Sequence, residues 1–520
     1  MPRPRSELKP DAGRLLSTAA STGDWDAAAA VIDQQWTALA LVPEHRPTMV
    51  EAVSRIPDDV LRRHRRVAFM AEGLGRAALV PDVAVPTTPA EIEAAVRSGE
   101  AREIVADSLQ MLFARLSRSR VAEAWAHVNA MLPLVKAATS SPLSPATSIA
   151  AHWYLHAGQV GLLVGHYFRG HMLLSIGWTY RHADVIGNAE IMLAPYLALA
   201  SSLLGDCEHA AEWSAVVDEY EPRSDAIADW PTILHTRASA MLLDATDRVD
   251  VEAGAVWFEQ VADGSRFDMF WPATVVGVVR HKLSLGQADP AARHLAAATE
   301  LHSEALASGG VHRSVLAMAR VDLALVIGRA NDVAAGLSEM TEGPFRIMAS
   351  LYGARLALGA GDYPRARQLA LSAETHALTE RARREGSVLR AAAELALGNH
   401  DEAARLVRLP GIFTAPQRRT LSLIPAELNR RMRDELGLGD EMPPTHPLLA
   451  EADAPRAIRL TAAERRTLEA LATPVSLDKV AENLFITRNT LKSHLRSVYA
   501  KLNASSREEA VATATDLGLL

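Results

Sequence analysis

The stretch ITRNTLKSHLRSVYAKLNASSREEAV, residues 486–511, contains two side-chain stripes with helical spacing. Apolar residues recur at positions 491, 495, 498 and 502, which places them on one face of a helix. Basic residues recur at positions 488, 492 and 496, on a second face of the same helix. Ser506 and Glu509 then have the spacing of a capping box, which marks the start of another helix. The stretch therefore predicts two consecutive helices, the first with one buried and one basic face.

Upstream of this stretch, the sequence predicts two more helices. Thr461 and Glu464 form a second capping box, and Ser476 is a residue type that caps helices. After Ser476, the apolar residues follow the spacing of one buried face: Leu477, Val480, Ala481, Leu484 and Phe485. Only Ile486 separates this segment from Thr487, the expected cap of the next helix. The second and third of four helices are therefore predicted to be joined by a tight turn.

The polar face of the third helix has a chemistry suited to duplex DNA. Two amphipathic helices joined by a tight turn are the components of a helix-turn-helix, whose second helix enters the major groove. Lys492 and Arg496 can donate hydrogen bonds to guanine, and Ser493 can bond to several bases. The residues expected to contact phosphate are Thr487, Arg488, Asn489, Thr490 and Lys501. The same spacing is also compatible with a helix whose polar face is merely solvated.

These motifs resemble the LuxR-type DNA-binding domain. That family reads roughly L-T-x-x-E-x-x-V-L, K-x-I-A-x-x-L-x-I-S-x-x-T-V-K-x-H, Y-x-K-L and S-R-x-E-A-V. The matching residues, within about the last 60, are Leu460, Thr461, Glu464, Leu468, Lys479, Ala481, Leu484, Ile486, Thr490, Lys492, His494, Lys501, Leu502, Ser506, Arg507, Glu509, Ala510 and Val511. The resemblance implies that Lys492, Ser493 and Arg496 face bases and that Thr490 faces phosphate. It also implies that the last helix pairs two copies, through Ala510, Val511, Ala514 and Leu517.

Two departures from the family pattern lie outside the third helix. The glycine usual before the second helix is replaced around Pro474, and Leu477-Asp478 stands where Ser/Thr-Asn is common. We expect these changes to alter phosphate contacts near the second helix while leaving the fold unchanged.

The rest of the chain repeats a phrase in which a glycine ends one helix and an alanine follows five places later. The pairs are Gly23 with Ala28, Gly205 with Ala210, Gly286 with Ala291, Gly361 with Ala366 and Gly398 with Ala403, with a looser copy at Gly328. Gly286, Gly328, Gly361 and Gly398 lie 42, 33 and 37 residues apart, which is typical of helical-hairpin arrays. The pattern resembles tetratricopeptide-type (TPR) repeats, although the glycine–alanine phrase is weak between residues 40 and 195. The predicted fold is all-α: a TPR-like helical-hairpin solenoid followed by a four-helix LuxR-type helix-turn-helix domain.

One segment of the repeat region, residues 152–182, concentrates histidines and aromatic residues in a chain with only 5% aromatics. A ligand pocket lined by aromatics is one interpretation, with Trp153, His156, Tyr167 and Trp178 as its candidate residues. The alternative, which we favour, is a well-packed core between helices. No third candidate ligand follows His152 and His156 at a spacing typical of metal sites, so no metal site is predicted.

Composition and charge divide the chain into three parts. Residues 434–455 contain four prolines and mostly acidic charge, which predicts a tether. Residues 456–520 carry ten basic and seven acidic residues, whereas residues 1–455 carry 44 and 55. The predicted domains are a helical-repeat sensor or interaction region at 1–433, a linker at 434–455 and a LuxR-type DNA-binding domain at 456–520. The opposite charges of the body and the last domain are compatible with masking of the DNA-binding face by the body, which the sequence alone does not decide.

Several classes of protein are disfavoured by what the sequence lacks. It contains no G-x-x-x-x-G-K-[ST], G-x-S-x-G or H-E-x-x-H motif, so no enzyme activity and no cofactor are predicted. The architecture resembles the maltose-activator type of large regulator, but without that type's phosphate loop, so gating by ATP is not implied. The single cysteine and the absence of a signal-peptide pattern or a long apolar run predict a cytoplasmic protein without a membrane span.

The sequence therefore predicts a sequence-specific, DNA-binding transcriptional regulator. We expect it to bind double-stranded DNA as a homodimer, while its repeat body receives a small-molecule, peptide or protein effector, with RNA polymerase as a further partner class. The alternative is a helical-repeat interaction scaffold whose terminal domain binds protein instead of DNA.

Overall fold

The computed structural model describes residues 12–41, 45–141, 143–183, 188–220, 230–261, 269–307, 311–340, 345–413, 418–446, 462–473, 475–502, 504 and 506–516. Every regular element in these ranges is a helix, which confirms the predicted all-α fold. Backbone contacts divide the chain into two units, one of residues 1–244 with 256–274 and one of residues 245–255 with 275–520.

The first unit contains the N-terminal helices. They are α1 (Ala12–Thr22), α2 (Trp25–Leu41), α3 (Arg46–Arg55), α4 (Asp58–Leu61), α5 (Arg65–Gly73), α6 (Pro89–Ser98), α7 (Glu100–Ser117), α8 (Val121–Ala138), α9 (Thr147–Leu163), α10 (Tyr167–Thr179), α11 (Ala189–Leu204) and α12 (Cys207–Tyr220). The division between the units falls within the next three helices, α13 (Trp230–Arg248), α14 (Val251–Val261) and α15 (Trp271–Ser284).

The second unit continues through the repeat region to the end of the chain. Its repeat helices are α16 (Ala288–Leu301), α17 (Ser303–Ala307), α18 (Val311–Val326), α19 (Ala330–Ser338), α20 (Phe345–Ala360), α21 (Tyr363–His376), α22 (Glu380–Ala396), α23 (His400–Val407), α24 (Arg418–Ser422) and α25 (Ala426–Glu435). A 3-10 turn at Gly439–Glu441 follows. The last four helices are α26 (Ala462–Leu471), α27 (Leu477–Asn483), α28 (Arg488–Leu502) and α29 (Arg507–Asp516).

The repeated glycine–alanine phrase closes helix hairpins, as the sequence predicts. The six glycines at positions 23, 205, 286, 328, 361 and 398 have φ between +72° and +86°. At Gly361, for example, the next residue, Asp362, donates its N–H to Ala357 O at 2.9 Å, which ends the helix. The alanines five places later are fully buried: Ala28, Ala210, Ala291, Ala366 and Ala403. Their small side chains allow the second helix of each hairpin to pack closely on the first.

Three further hairpins use the same geometry without the glycine–alanine signature. Their left-handed residues, with the small buried residues five places later, are Ser119 with Ala124, Gly165 with Gly170, and Val249 with Gly254. A Cβ on Gly170 would lie 2.9 Å from the Leu162 backbone nitrogen, so only glycine fits there. Two of these hairpins, α7–α8 and α9–α10, lie between residues 40 and 195, where the repeat pattern is thin.

A buried ionic network joins the first helices of successive hairpins in the second unit. Asp322 of α18 accepts hydrogen bonds from Arg280 Nε of α15, at 2.8 Å, and from Arg419 of α24. Arg280 also lies 3.3 Å from the hydroxyl of Tyr352 on α20. Burial would raise the pKa of Asp322, but the charges of Arg419 and Arg280 outweigh it and lower that pKa to about 2. The carboxylate is therefore ionised in the interior.

The network continues on the neighbouring helices. Arg381 of α22 pairs with Asp247 at 2.7 Å and with Glu385 at 3.1 Å. Arg355 of α20 donates to Glu385 Oε2 at 3.2 Å and to Thr420 Oγ1 at 3.0 Å. Buried charges need such partners, because each ion loses its hydration on burial. In this unit, Arg419 and Thr420 of α24 thus lie on the surface formed by the first helices of the hairpins, where they contact α18 and α20.

The first part of the predicted linker packs against the second unit. Met442 is buried, Asn429 Nδ2 donates to Pro443 O at 3.1 Å, and His446 N donates to Ser422 O at 2.8 Å. Burial and the nearby charge of Arg419 lower the pKa of His446 to about 4, so this imidazole is neutral at pH 7. A free tether can therefore include only residues after 446, and residues 447–461 lie outside the described part of the chain.

Candidate nucleic-acid interface

The last four helices share a core formed by the apolar faces that the sequence predicts. One cluster consists of Leu468, Val498, Leu502, Ala510 and Ala514, and the other of Leu471, Val480, Ala481, Leu491 and Leu495. Tyr499 packs against both clusters, and burial raises the pKa of its phenol. The inward stripe of α28 is thus confirmed, and it holds this helix against α26, α27 and α29.

Side-chain caps define the helix starts around the turn. Ser476 Oγ accepts from Lys479 N at 3.3 Å, and Thr487 Oγ1 accepts from Thr490 N at 3.2 Å. Ser506 Oγ accepts from Glu509 N at 3.1 Å, which confirms the predicted cap of α29. The Thr461 cap predicted for α26 lies outside the described residues.

The turn between α27 and α28 contains an unusual residue. Phe485 has a φ of +55° and a side chain that is 96% exposed. A bulky side chain is disfavoured in the left-handed region, where glycine is the usual residue. The sequence pattern places Phe485 in the buried stripe of α27, so this assignment is wrong. The helix ends at Asn483, and the chain direction changes before Phe485 can face the core.

Arg507 ties the start of α29 to the other end of the domain. Its guanidinium donates to Leu471 O at 3.0 Å, to Val475 O at 2.6 Å and to Thr473 O. These three hydrogen bonds from one guanidinium group connect the start of α29 to the segment between α26 and α27. Ser497 Oγ donates to Glu464 Oε1 at 2.7 Å and joins α28 to α26.

The base-facing residues expected from the sequence lie on the solvent side of α28. Lys492, Ser493 and Arg496 are all exposed, opposite the buried stripe. The residues expected at phosphate are exposed as well: Thr487, Arg488, Asn489 and Thr490. Lys501 lies within α28, but its side chain is outside the described part of the structure.

One of these cations already has a partner. Arg488 Nε lies 3.1 Å from Asp478 Oδ1 on α27, and both side chains are about two-thirds exposed. An exposed pair of this kind contributes little to stability and can exchange partners. Asp478 is one of the departures noted in the sequence, so a phosphate near Arg488 would compete with this carboxylate.

The candidate pairing residues of α29 are only partly accessible. Ala510 and Ala514 are fully buried, and Val511 is partly buried. Leu517 lies outside the described residues. The side chains of Ala510 and Ala514 therefore pack in the core of the domain and are not available to a second copy in this conformation.

Comparison with known families agrees with this geometry. Residues 459–514 match the family described as bacterial regulatory proteins, luxR family. The C-terminal domain is a LuxR-type helix-turn-helix domain. No curated protein matches the chain. The LuxR-type domain is a DNA-binding fold without enzymatic function, and α28, the recognition helix expected from the sequence, is its third helix.

The aromatic residues of the first unit contact different neighbours. Trp153 is fully buried and donates through Nε1 to Ser108 Oγ at 3.0 Å. Trp178 meets the ring of Trp213 edge to face, with centroids 4.8 Å apart. His156 Nδ1 lies 2.7 Å from Gln159 Oε1. Tyr167, the fourth pocket candidate, is partly buried at the first position of α10. These contacts favour the core-packing interpretation over a shared ligand pocket.

A serine–histidine pair in the same unit resembles a nucleophile and its base. Ser108 Oγ lies 2.8 Å from His127 Nε2. Burial lowers the pKa of His127 to about 4, so the imidazole is neutral at pH 7. Ser108 is fully buried, however, and no substrate can reach its hydroxyl. We interpret this pair as a satisfied core contact.

The described residues contain neither a metal-binding cluster nor a membrane-spanning helix. No group of three or more His, Cys, Asp or Glu side chains is arranged there to hold a metal ion. None of the helices in the described ranges combines the length and the apolar character that crossing a bilayer requires.

Proposed function

We propose that this protein is a transcriptional regulator that binds duplex DNA sequence-specifically as a homodimer and whose helical body receives a ligand or protein partner. The observation that carries the proposal is the division of α28 into two faces within a LuxR-type domain. Its apolar face is buried, while Lys492, Ser493 and Arg496 are exposed together on the opposite face. Side chains with these donors read base edges in the major groove.

The sensing role of the body is supported by its hairpin architecture. Arrays of helix hairpins present extended binding surfaces, and their stability depends on contacts between neighbouring hairpins. In the second unit, α24 already occupies the surface shared by the first helices of the hairpins, through Arg419 and Thr420. We therefore expect an effector of this unit either to displace α24 or to bind elsewhere.

The DNA-reading role can be tested with matched charge changes. An operator is first selected from random duplexes with the full-length protein. The variant Lys492→Ala/Arg496→Ala is then compared with Arg465→Ala/Arg466→Ala, which removes the same charge from exposed positions on α26. Each base contact contributes about 1–3 kcal/mol of discrimination, so the first variant should lose at least about 30-fold in its preference for the operator.

The control separates base reading from charge. Loss of two cations from α26 lowers affinity for all DNA alike and leaves the ratio of specific to non-specific binding unchanged. If the operator preference of Lys492→Ala/Arg496→Ala equals that of the wild type, the proposed role of α28 is wrong.

The exposed aromatic side chain of Phe485 is the observation that favours the scaffold alternative. An apolar ring at a strained position does not stabilise the domain by itself, and it suits contact with a protein surface. Salt distinguishes the two functions, because DNA affinity falls steeply with ionic strength while an apolar protein contact does not. Binding to a partner that persists at high salt and is lost in Phe485→Asn would support the scaffold.

A further inference from the structure

In the second unit, α19 of the repeat region lies against α29, the last helix of the LuxR-type domain. A polar contact accompanies this packing. Asn331 Nδ2, at the start of α19, donates to the backbone carbonyl of Leu502 at 3.3 Å. The two residues are 171 positions apart in sequence. The repeat region thus contacts the LuxR-type domain at α19.

The chemistry of this contact suits the end of a helix. Leu502 is the last residue of α28, and the final carbonyls of a helix lack intrahelical partners and carry partial negative charge. The amide of Asn331 supplies a donor to one of them. The exposed face of Lys492, Ser493 and Arg496 lies on the recognition helix away from its buried stripe and remains open to solvent. The body therefore engages the domain without covering these three side chains.

Three other helices contact α29. This ten-residue helix packs against α26 and α28 of its own domain and against α19 of the body. Glu508, Glu509 and Ala512 are its exposed residues whose side chains the structure describes. Two copies that met through this side would bring like charges together, which opposes association. Pairing of two copies through the side of α29 that faces α19 requires α29 to leave α19.

We propose that α19 is an internal docking site for α29 and that a second copy of the chain competes with α19 for this helix. The inference rests on the proposed dimeric DNA-binding function. In the docked state the chain is monomeric with its recognition face open. Release of α29 allows two copies to pair and to engage both halves of an inverted-repeat operator.

The test uses three full-length variants. Asn331→Ala removes the donor, and Asn331→Asp places a negative charge of nearly the same shape against the helix end. Ser338→Asp is the matched control, since it adds the same charge to an exposed position at the other end of α19. Hydrogen exchange reports the protection of α19 and α29, and sedimentation velocity reports the monomer–dimer equilibrium. Far-ultraviolet circular dichroism checks that each variant remains folded.

We expect Asn331→Ala to strengthen dimerisation about two- to tenfold, the effect of losing one neutral hydrogen bond. Asn331→Asp should strengthen it further, with faster exchange in α19 and α29, and Ser338→Asp should match the wild type. If Asn331→Asp and Ser338→Asp behave alike in both measurements, the docking site is refuted. If exchange increases but dimerisation does not, the competition is refuted.

DNA binding separates this inference from the function on which it rests. If Asn331→Asp dimerises more strongly but no variant selects a DNA sequence, the docking inference stands and the proposed function fails. If the wild type selects an operator and Asn331→Asp neither dimerises nor binds it more tightly, the proposed function stands and the docking inference fails.

Discussion

Replacement of Asp322 by asparagine should destabilise the second unit by about 3–5 kcal/mol. Asp322 is almost fully buried and accepts from two arginines, Arg280 and Arg419. Asparagine keeps the shape but removes the charge, which leaves two buried guanidinium groups without this counter-ion. Removal of one partner from a buried ion pair typically costs this much.

The lowered pKa of Asp322 gives a second magnitude for the contribution of this side chain to stability. Its fall from 3.8 to about 2 corresponds to stability on the order of 2 kcal/mol at neutral pH. Because the folded-state pKa is lowered, this stability is present above about pH 4 and is lost as the pH falls towards 2. The pH dependence of unfolding between these values should be weaker in Asp322→Asn than in the wild type.

Urea unfolding followed by two probes can locate the effect. All nine tryptophans lie between residues 25 and 271, in the first unit, so their fluorescence reports that unit alone. Circular dichroism reports helices in both units. We expect the dichroism midpoint of the second unit to fall by at least about 1 M urea, with an unchanged fluorescence transition.

A matched control is available on α19. Asp332 is exposed and lies 3.7 Å from Arg329, so Asp332→Asn should change stability by less than about 0.5 kcal/mol. A loss below about 1 kcal/mol in Asp322→Asn, or a shift of the fluorescence transition instead, would refute the proposed role of the ionic network.

Two further predictions concern the backbone turns and the DNA-binding domain. Val249→Gly should stabilise the protein by about 1 kcal/mol, because Val249 has a φ of +57° that favours glycine. Gly398→Val should destabilise it by about 1–2 kcal/mol, because Gly398 has a φ of +86° and open space around it, so that only the backbone conformation opposes valine. Thermal unfolding measures both changes, and equal effects of the same sign would contradict the argument. Arg507→Lys should destabilise the LuxR-type domain by about 2–3 kcal/mol, because one lysine cannot donate to the three carbonyls together. Hydrogen exchange of α29 should then quicken by more than tenfold. The control Arg465→Lys, at an exposed position of α26, should leave this exchange rate unchanged.

The hairpin turns show where a local signature is sufficient and where it is not. Glycine followed by alanine at the fifth position predicts five turns, and the looser copy at Gly328 predicts a sixth, since glycine adopts the left-handed conformation without steric cost. Ser119 and Val249 adopt the same conformation against their intrinsic preference. Packing of the two helices on either side determines the backbone conformation at these two positions, so the residue type there does not predict a turn.

The LuxR-type domain was more predictable than the body because its determinants are local. Caps at Ser476, Thr487 and Ser506 and the inward stripe of α28 follow from spacing within one helix. Phe485 is the exception, because periodicity cannot show that the helix ends two residues earlier. The burial of Ala510 and Ala514 was also hidden, since small residues fit a domain core as well as a dimer surface.

The sequence by itself determined the all-α fold, most hairpin turns, the helix caps and the basic face of α28. These features depend on residues within a few positions of one another, whose relative placement a helix defines. Only the tertiary structure decided which distant groups meet, such as Asp322 with Arg419, 97 residues apart, and Asn331 with Leu502. Which distant residues meet depends on the packing of all the helices between them, because the position and rotation of each helix determine where the following helices lie.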